Sequence, residues 1–193
     1  MTAQTLLRTE RLLLRAPAPE LVNGVDAFYR ANRQHFAPWD PPTPDSFFTL
    51  AVQQERMHSG WQAFEAGQAY RYWISPCTDR NRIIGQVHVS QISRGVFQSA
   101  MLGYNLDEDA QGQGLMQEAL RAVMVEVFSR RIWLHRLQAN YRPENVRSAK
   151  LLANLGFAFE GEAKAYLYID GAWRNHVMCA LHNPNWSATE PPP

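Results

Sequence analysis

The sequence predicts an α+β fold: a mixed, mostly antiparallel sheet flanked by helices, with one βαβ crossover that carries a glycine-bearing loop. Three observations predict it. Residues 70–106 alternate apolar and polar side chains between turn signals, which reads as successive antiparallel strands. One long amphipathic stretch, 115–131, separates two strand-like segments and so makes a crossover. Asp170-Gly171 then joins two further strand-like runs as a tight hairpin.

In chain order, Leu12, Leu13 and Leu14 between arginines give a short first strand. Pro19 suits a helix start, and Leu21, Val25, Phe28 and Tyr29 recur behind it at helical spacing. Pro38, Pro41, Pro42 and Pro44 end that helix and stiffen a loop. A second helix is expected over 46–67, with Gly60 as its weak point. Tyr70, Tyr72 and Ile74 alternate as a strand. Asp79 to Arg82 turn the chain, and 83–92 forms a strand with Val87 and Val89 on one face. Arg94-Gly95 marks the next turn, and 100–106 a further strand. In the crossover helix Leu115, Ala119, Leu120, Val123, Val127 and Phe128 share one stripe. A strand follows at 136–141, then a short helix over 143–155 stopped by Gly156, with Phe157 as the packing residue beyond it. Strands at 159–169 and 174–181 complete the order. Residues 1–186 are expected to form a single domain, and 187–193, closing in three prolines, a disordered tail.

Composition narrows the function. The chain has 193 residues, 46% apolar, with 19 basic and 18 acidic side chains, so neither a disordered protein nor a global polyanion binder is indicated. Cys77 and Cys179 show no paired spacing and read as free thiols in a reducing compartment. The N-terminus lacks the apolar core of a signal peptide, and no apolar run approaches a membrane span, so a cytoplasmic location is expected. The six histidines form no metal-ligand spacing, and no metal site is expected. Charge is uneven, however: residues 120–150 hold seven basic side chains against two acidic ones.

The most informative segment is Gln111-Gly112-Gln113-Gly114-Leu115-Met116, between a strand and the head of the crossover helix. Glycines there admit close backbone approach, and the exposed N–H groups with the helix dipole favour a phosphate. Gln117 stands where a dinucleotide fingerprint needs Gly or Ala, and no Gly-Lys-Ser/Thr follows, so neither a Rossmann nor a Walker loop fits. Gln111-x-x-Gly114 resembles the acetyl-coenzyme A signature of the GNAT N-acetyltransferase superfamily: Arg or Gln, two residues, Gly, one residue, then Gly or Ala. The GNAT-like order of elements agrees. Within the superfamily the chain resembles the RimJ/RimL type, the ribosomal-protein N-terminal acetyltransferases, and its RimJ branch above all. The resemblance runs from about residue 8 to 186. It is carried by His35-Phe36-Ala37-Pro38-Trp39, Gly112 to Met116, His135-Arg136-Leu137, Leu155-Gly156-Phe157 and Ile169-Asp170-Gly171-x-Trp173-Arg174. Two features depart from the pattern. Met116 replaces the final Gly/Ala, so its side chain must point away from the phosphates. Asp107-Glu108-Asp109 sets three acids just before the loop.

The resemblance implies transfer of acetyl from acetyl-CoA to the α-amino group of a protein N-terminus, a ribosomal protein beginning with Ala or another small residue. An α-amine with pKa about 8 is roughly a tenth neutral at pH 7, against about one in 2,500 for a lysine near 10.4, so only a mild base is needed. The implied coenzyme contacts are Leu106, Gln111, Gly112, Gln113, Gly114, Leu115, Met116 and Asn145, the last on the pantetheine arm. Ser148 is implied at the sulfur, as acid or hydrogen-bond partner for the leaving thiolate. A helix N-cap is the ordinary alternative for Asn145. Trp39 is a candidate substrate wall, and Glu160, Glu162 and Asp107 are candidate bases with nothing in the spacing to choose among them. His88 and Tyr104 read first as packing residues. Arg121, Arg142, Arg147 and Lys150 are candidate partners for the coenzyme phosphates, whereas a solvated helix face explains Arg130 and Arg131. No direct nucleic-acid or membrane partner is required, and a monomer or homodimer is expected. Two rivals remain open: the same chemistry on a small-molecule amine (amino acid, polyamine or antibiotic), and a non-catalytic ribosome-associated module.

Overall fold

The computed structural model describes residues 6–187 together with Thr189 and Pro191, so the expected tail lies largely outside the described residues. Its strands are β1 (Leu6–Arg8), β2 (Leu12–Arg15), β3 (Tyr70–Pro76), β4 (Gly85–Ser93), β5 (Ser99–Leu106), β6 (Arg136–Tyr141), β7 (Ala158–Ile169) and β8 (Ala172–His182). They form one sheet in the order β1-β2-β3-β4-β5-β6-β8-β7. All neighbours are antiparallel except β5 and β6, the parallel pair joined by the crossover. The helices are α1 (Val22–Ala31), α2 (Arg33–Phe36), α3 (Leu50–Glu65), α4 (Leu115–Phe128) and α5 (Val146–Asn154).

Strand alternation divides the core in two. Tyr72, Ile74, Val87, Val89, Leu102 and Leu137 face the apolar stripe of α4 and Leu152 of α5. On the opposite face Trp73 packs with Val25, Phe28 and Tyr29 of α1 and Met57 of α3. Gly156 takes φ +88° while the Phe157 amide reaches back to the Leu152 carbonyl at 3.0 Å, the left-handed helix stop that the sequence predicts. Asp170 and Gly171, at φ +52° and +72°, make the predicted hairpin turn.

Several boundaries differ from the sequence expectations. A strand, β1, precedes the one expected first; its three residues are too few to show a period. The helix expected over 46–67 starts as a 3-10 turn at Asp45–Phe48, breaks at Thr49 in extended conformation, and resumes as α3. Gly60 produces no break. Its missing Cβ lets α3 approach Pro17, whose Cγ a side chain would meet at 3.3 Å. The crossover helix ends at Phe128 rather than 131 because Ser129 is extended, its hydroxyl donating to the Glu126 carbonyl at 2.7 Å. The next helix starts at Val146, after a turn through Pro143 to Asn145.

Candidate active site

β5 and β6 pair only from Ser99↔Arg136 to Leu102↔Ala139. Beyond that point β5 stays with β4 as far as Leu106, while β6 stays with β8 as far as Tyr141. Each strand follows its own neighbour, so the two part and leave a wedge in the sheet. The N-termini of the following helices, α4 and α5, belong to the connections that leave these parted ends.

At the head of α4, Gly112 and Gly114 have φ +76° and +74°, a region that disfavours any side chain. No side chain caps α4, so the amides of Leu115, Met116 and Gln117 keep no partner within the helix. A Cβ on Gly112 would meet nothing within 4 Å. The loop is therefore an open row of donors at a positive dipole end, a fit for a pyrophosphate. Met116, 6% exposed, points into the core, as the departure from the signature requires. Arg11 anchors the loop from outside: it donates to the Gln113 carbonyl at 2.9 Å and pairs with Glu118 at 2.6 Å. Glu118 also accepts from Thr9 at 2.5 Å, and these bonds outweigh partial burial to hold its carboxyl below the ordinary range. The Gln111 carboxamide bridges His35, at 2.8 Å, and Arg147. The acidic triplet is spread: Asp107 pairs with Arg82 at 3.5 Å and caps its own 3-10 turn, Glu108 is exposed with its carboxylate 4.0 Å from the His35 ring, and Asp109 is exposed.

At the head of α5, Asn145 is the N-cap, its side-chain oxygen accepting the Ser148 amide at 3.0 Å, a contact worth about 1 kcal/mol. Ser148 faces Tyr104 of β5. Burial pushes the Tyr104 hydroxyl up to about 12 against the pull of Ser148, which stands near it but outside hydrogen-bond geometry, and among the described residues that hydroxyl has no partner. Leu106 ends β5 with its side chain in the core.

The other face of the wedge holds residues that the sequence did not single out. Asn105 of β5 donates to Asp40 at 3.3 Å, and Asn140 of β6 donates to the Tyr166 hydroxyl at 3.1 Å. The remaining oxygen of each amide is buried without a partner. Buried orphans of this kind mark places where a ligand or water completes the bonding. Asp40 is half-buried, and burial raises its pKa against the opposing pull of Asn105 and His35. A bulge in β7 displays Tyr166: Ala165 has φ +48°, its amide held by the Asn175 side chain at 3.0 Å. Trp39, 36% exposed, stands beside Asp40 with the Arg142 guanidinium 5.4 Å from its ring centroid.

Several expectations change here. Arg142 is 9% exposed and committed to the Pro38 carbonyl, Glu144 and Asp170, so it is a brace for the proline loop and not a phosphate partner. Arg147 does stand at the lip of the cradle; Arg121 and Lys150 are exposed on α4 and α5. The three carboxylates weighed as bases are paired: Glu160 with Arg136, Glu162 with Lys164, Asp107 with Arg82. His88 hydrogen-bonds Arg71, and burial drives its pKa down to about 3. The signal for Asp40 lay in plain view beside Trp39, but only the fold shows the neighbours that half-cover it.

A wedge between parallel strands, with helix N-termini following its parted ends and a half-buried carboxylate on its other face, has the form of an acyl-transfer site for a phosphate-bearing coenzyme. Residues 11–158 match the Acetyltransferase (GNAT) domain family, and the chain belongs to that family, whose co-substrate is acetyl-CoA. It is 39% identical over 186 residues to the [ribosomal protein uS5]-alanine N-acetyltransferase of Escherichia coli, covering 94% of this chain and 92% of that one. The crystal structure of ribosomal-protein-S5-alanine acetyltransferase from Vibrio fischeri superimposes with a TM-score of 0.89 at 34% identity, covering 95% of this chain and 99% of that one. Mycobacterium smegmatis RimJ in complex with CoA-disulfide gives 0.83 at 26% identity, with coverage of 93% and 86%. Among the described residues no group of three His, Cys, Asp or Glu side chains is placed to hold a metal, and no helix is long and apolar enough to cross a membrane.

Proposed function

We propose that the chain acetylates the N-terminal α-amino group of a ribosomal protein beginning with Ala or another small residue. The observation that carries this reading is the parted pair β5–β6, with free helix amides at one side and Asp40 at the other. Acetyl-CoA supplies an activated thioester. Gln111 to Met116 hold its pyrophosphate through backbone amides, and Leu106 and Asn145 line its pantetheine arm. Asp40, its pKa raised by burial, is a mild base that suffices for an α-amine. The amine proton passes to Asp40, while the Tyr104 hydroxyl and Ser148, near the head of α5, stabilise the departing thiolate, Ser148 handing on its hydroxyl proton and regaining one from solvent. Trp39 walls the acceptor mouth. Names and near full-length coverage of the relatives support the ribosomal target over a small amine.

Residues 1–186 form one N-acetyltransferase domain in this reading, followed by a tail, in a cytoplasmic protein acting as a monomer or homodimer without need of nucleic acid. The test is acetylation of N-terminal peptides against free amino acids and polyamines. Peptides beginning with Ala are expected to be acetylated and small amines not. Turnover of small amines alone would overturn the reading.

A further inference from the structure

Between α3 and the sheet lies a cavity of about 330 Å³ whose charged side chains are all basic. Arg56 of α3 stands exposed at its rim; Arg71 of β3 and His88 of β4 lie deeper, with Ser59, Gln53 and Trp73 around them. Arg71 donates to the Gln86 carboxamide and meets the His88 ring at 2.9 Å. Arg56 reaches the Tyr29 hydroxyl at 3.5 Å and lies 4.4 Å from the Phe47 ring centroid. Among the described residues neither guanidinium pairs with a carboxylate, and none lines the cavity. Burial and the nearby Arg56 lower the Arg71 pKa, and His88 stays neutral at working pH. A desolvated guanidinium beside a second positive charge, with no counter-ion, costs free energy that a bound anion recovers.

Strand register ties this cavity to the acceptor side of the wedge. Arg71 pairs with His88, and His88 with Gly103, so the three share one row across the sheet. Gly103 is the first residue of β5 beyond the last pair with β6. It is exposed, and a Cβ there would meet only the His88 carbonyl, at 4.0 Å. The row is thus uncovered where it reaches the wedge. Two strand spacings separate the guanidinium cluster from the parted strands, roughly 10 Å, which an extended peptide covers in about three residues.

We propose that this cavity receives a side-chain carboxylate of the acceptor polypeptide, carried about three or four residues from the amine being acetylated. The assignment rests on the N-terminal transferase reading and names its acceptor class: a small first residue followed shortly by Glu or Asp. The two guanidinium groups supply charge-assisted hydrogen bonds, and the neutral His88 ring shapes the floor.

The experiment titrates peptides of about eight residues, beginning with Ala and carrying either Glu or Gln at positions 3 and 4, into the full chain loaded with CoA. The Glu peptide is expected to bind about tenfold more tightly, the scale of one charge-assisted contact. In Arg56→Gln, a change at the exposed rim, and in Arg71→Gln that ratio falls towards one. Equal affinity of the two peptides, or an unchanged ratio in the Arg56→Gln protein, would overturn the proposal. So would succinate binding as tightly as the Glu peptide, which would make the cavity a site for a free anion. A Glu preference without acetylation of any peptide would sink the transferase reading and leave the carboxylate site standing.

Discussion

The proposed coenzyme cradle and the proposed acceptor mouth lie on either side of the same parted strands, yet they are built differently. The cradle is one continuous hexapeptide, Gln111 to Met116, and most of its donors are backbone amides of a single helix start. The mouth is assembled from side chains on four segments: Trp39 and Asp40 in the proline loop, Asn105 on β5, Asn140 on β6 and Tyr166 on β7. Backbone binding tolerates side-chain change so long as the glycines keep φ positive. Side-chain binding is exchangeable, residue by residue. A fold of this kind therefore holds its co-substrate constant and varies its acceptor at little structural cost. His35 and Arg147 link the two regions through Gln111.

The sharpest way to separate the regions is Asp40→Asn. Loss of the base is expected to lower kcat about 10²–10³-fold, the usual worth of general base catalysis, with CoA affinity unchanged. Its pH dependence carries a sign. Burial raises the Asp40 pKa in the folded protein, so activity is lost as pH falls through that raised value, and the acid limb of kcat should vanish in the variant. Stability runs the other way. A carboxyl with a raised folded pKa contributes stability that is present below the unfolded pKa and lost as pH rises through the folded one. At pH 7 Asp40→Asn should therefore raise Tm, by about 2–4 °C for each kcal/mol relieved in a chain of this size. A variant that is slower and also less stable would contradict this picture of Asp40.

Gly114→Val addresses the cradle alone. A β-branched residue at φ +74° carries strain of roughly 1–3 kcal/mol and crowds the amides, so the Kd for CoA should rise at least about tenfold. Calorimetry with CoA is the measurement; unchanged affinity would remove the loop from the coenzyme site. The smallest expected effect lies between the two regions. Ser148→Ala should reduce kcat about tenfold, one hydrogen bond to a developing anion, and leave the KM for peptide as it was. An unchanged kcat would transfer the thiolate to Tyr104.

Local information was legible where one segment does the work. Gly114 opening a helix, Gly156 closing one and Asp170-Gly171 turning a hairpin each act within a few residues, and each stands where the pattern put it. Three residues of β1 and the interruption at Thr49 escaped, because neither has a period of its own. Arg142 escaped differently. Its charge suggested a phosphate partner, while its burial under Pro38 and Trp39 depends on a loop more than 100 residues away.

The sequence by itself determined the mixed sheet, the crossover and the glycine-opened helix start, since period, glycine conformation and helix dipole are local properties of the chain. The tertiary structure alone decided where β5 and β6 separate, which carboxylate has its pKa raised by partial burial and which arginines lack a counter-ion among the described residues. Those are matters of long-range register and desolvation. Whether Asp40 stays a solvated surface acid or becomes a base with a raised pKa depends on the neighbours that the fold brings over it.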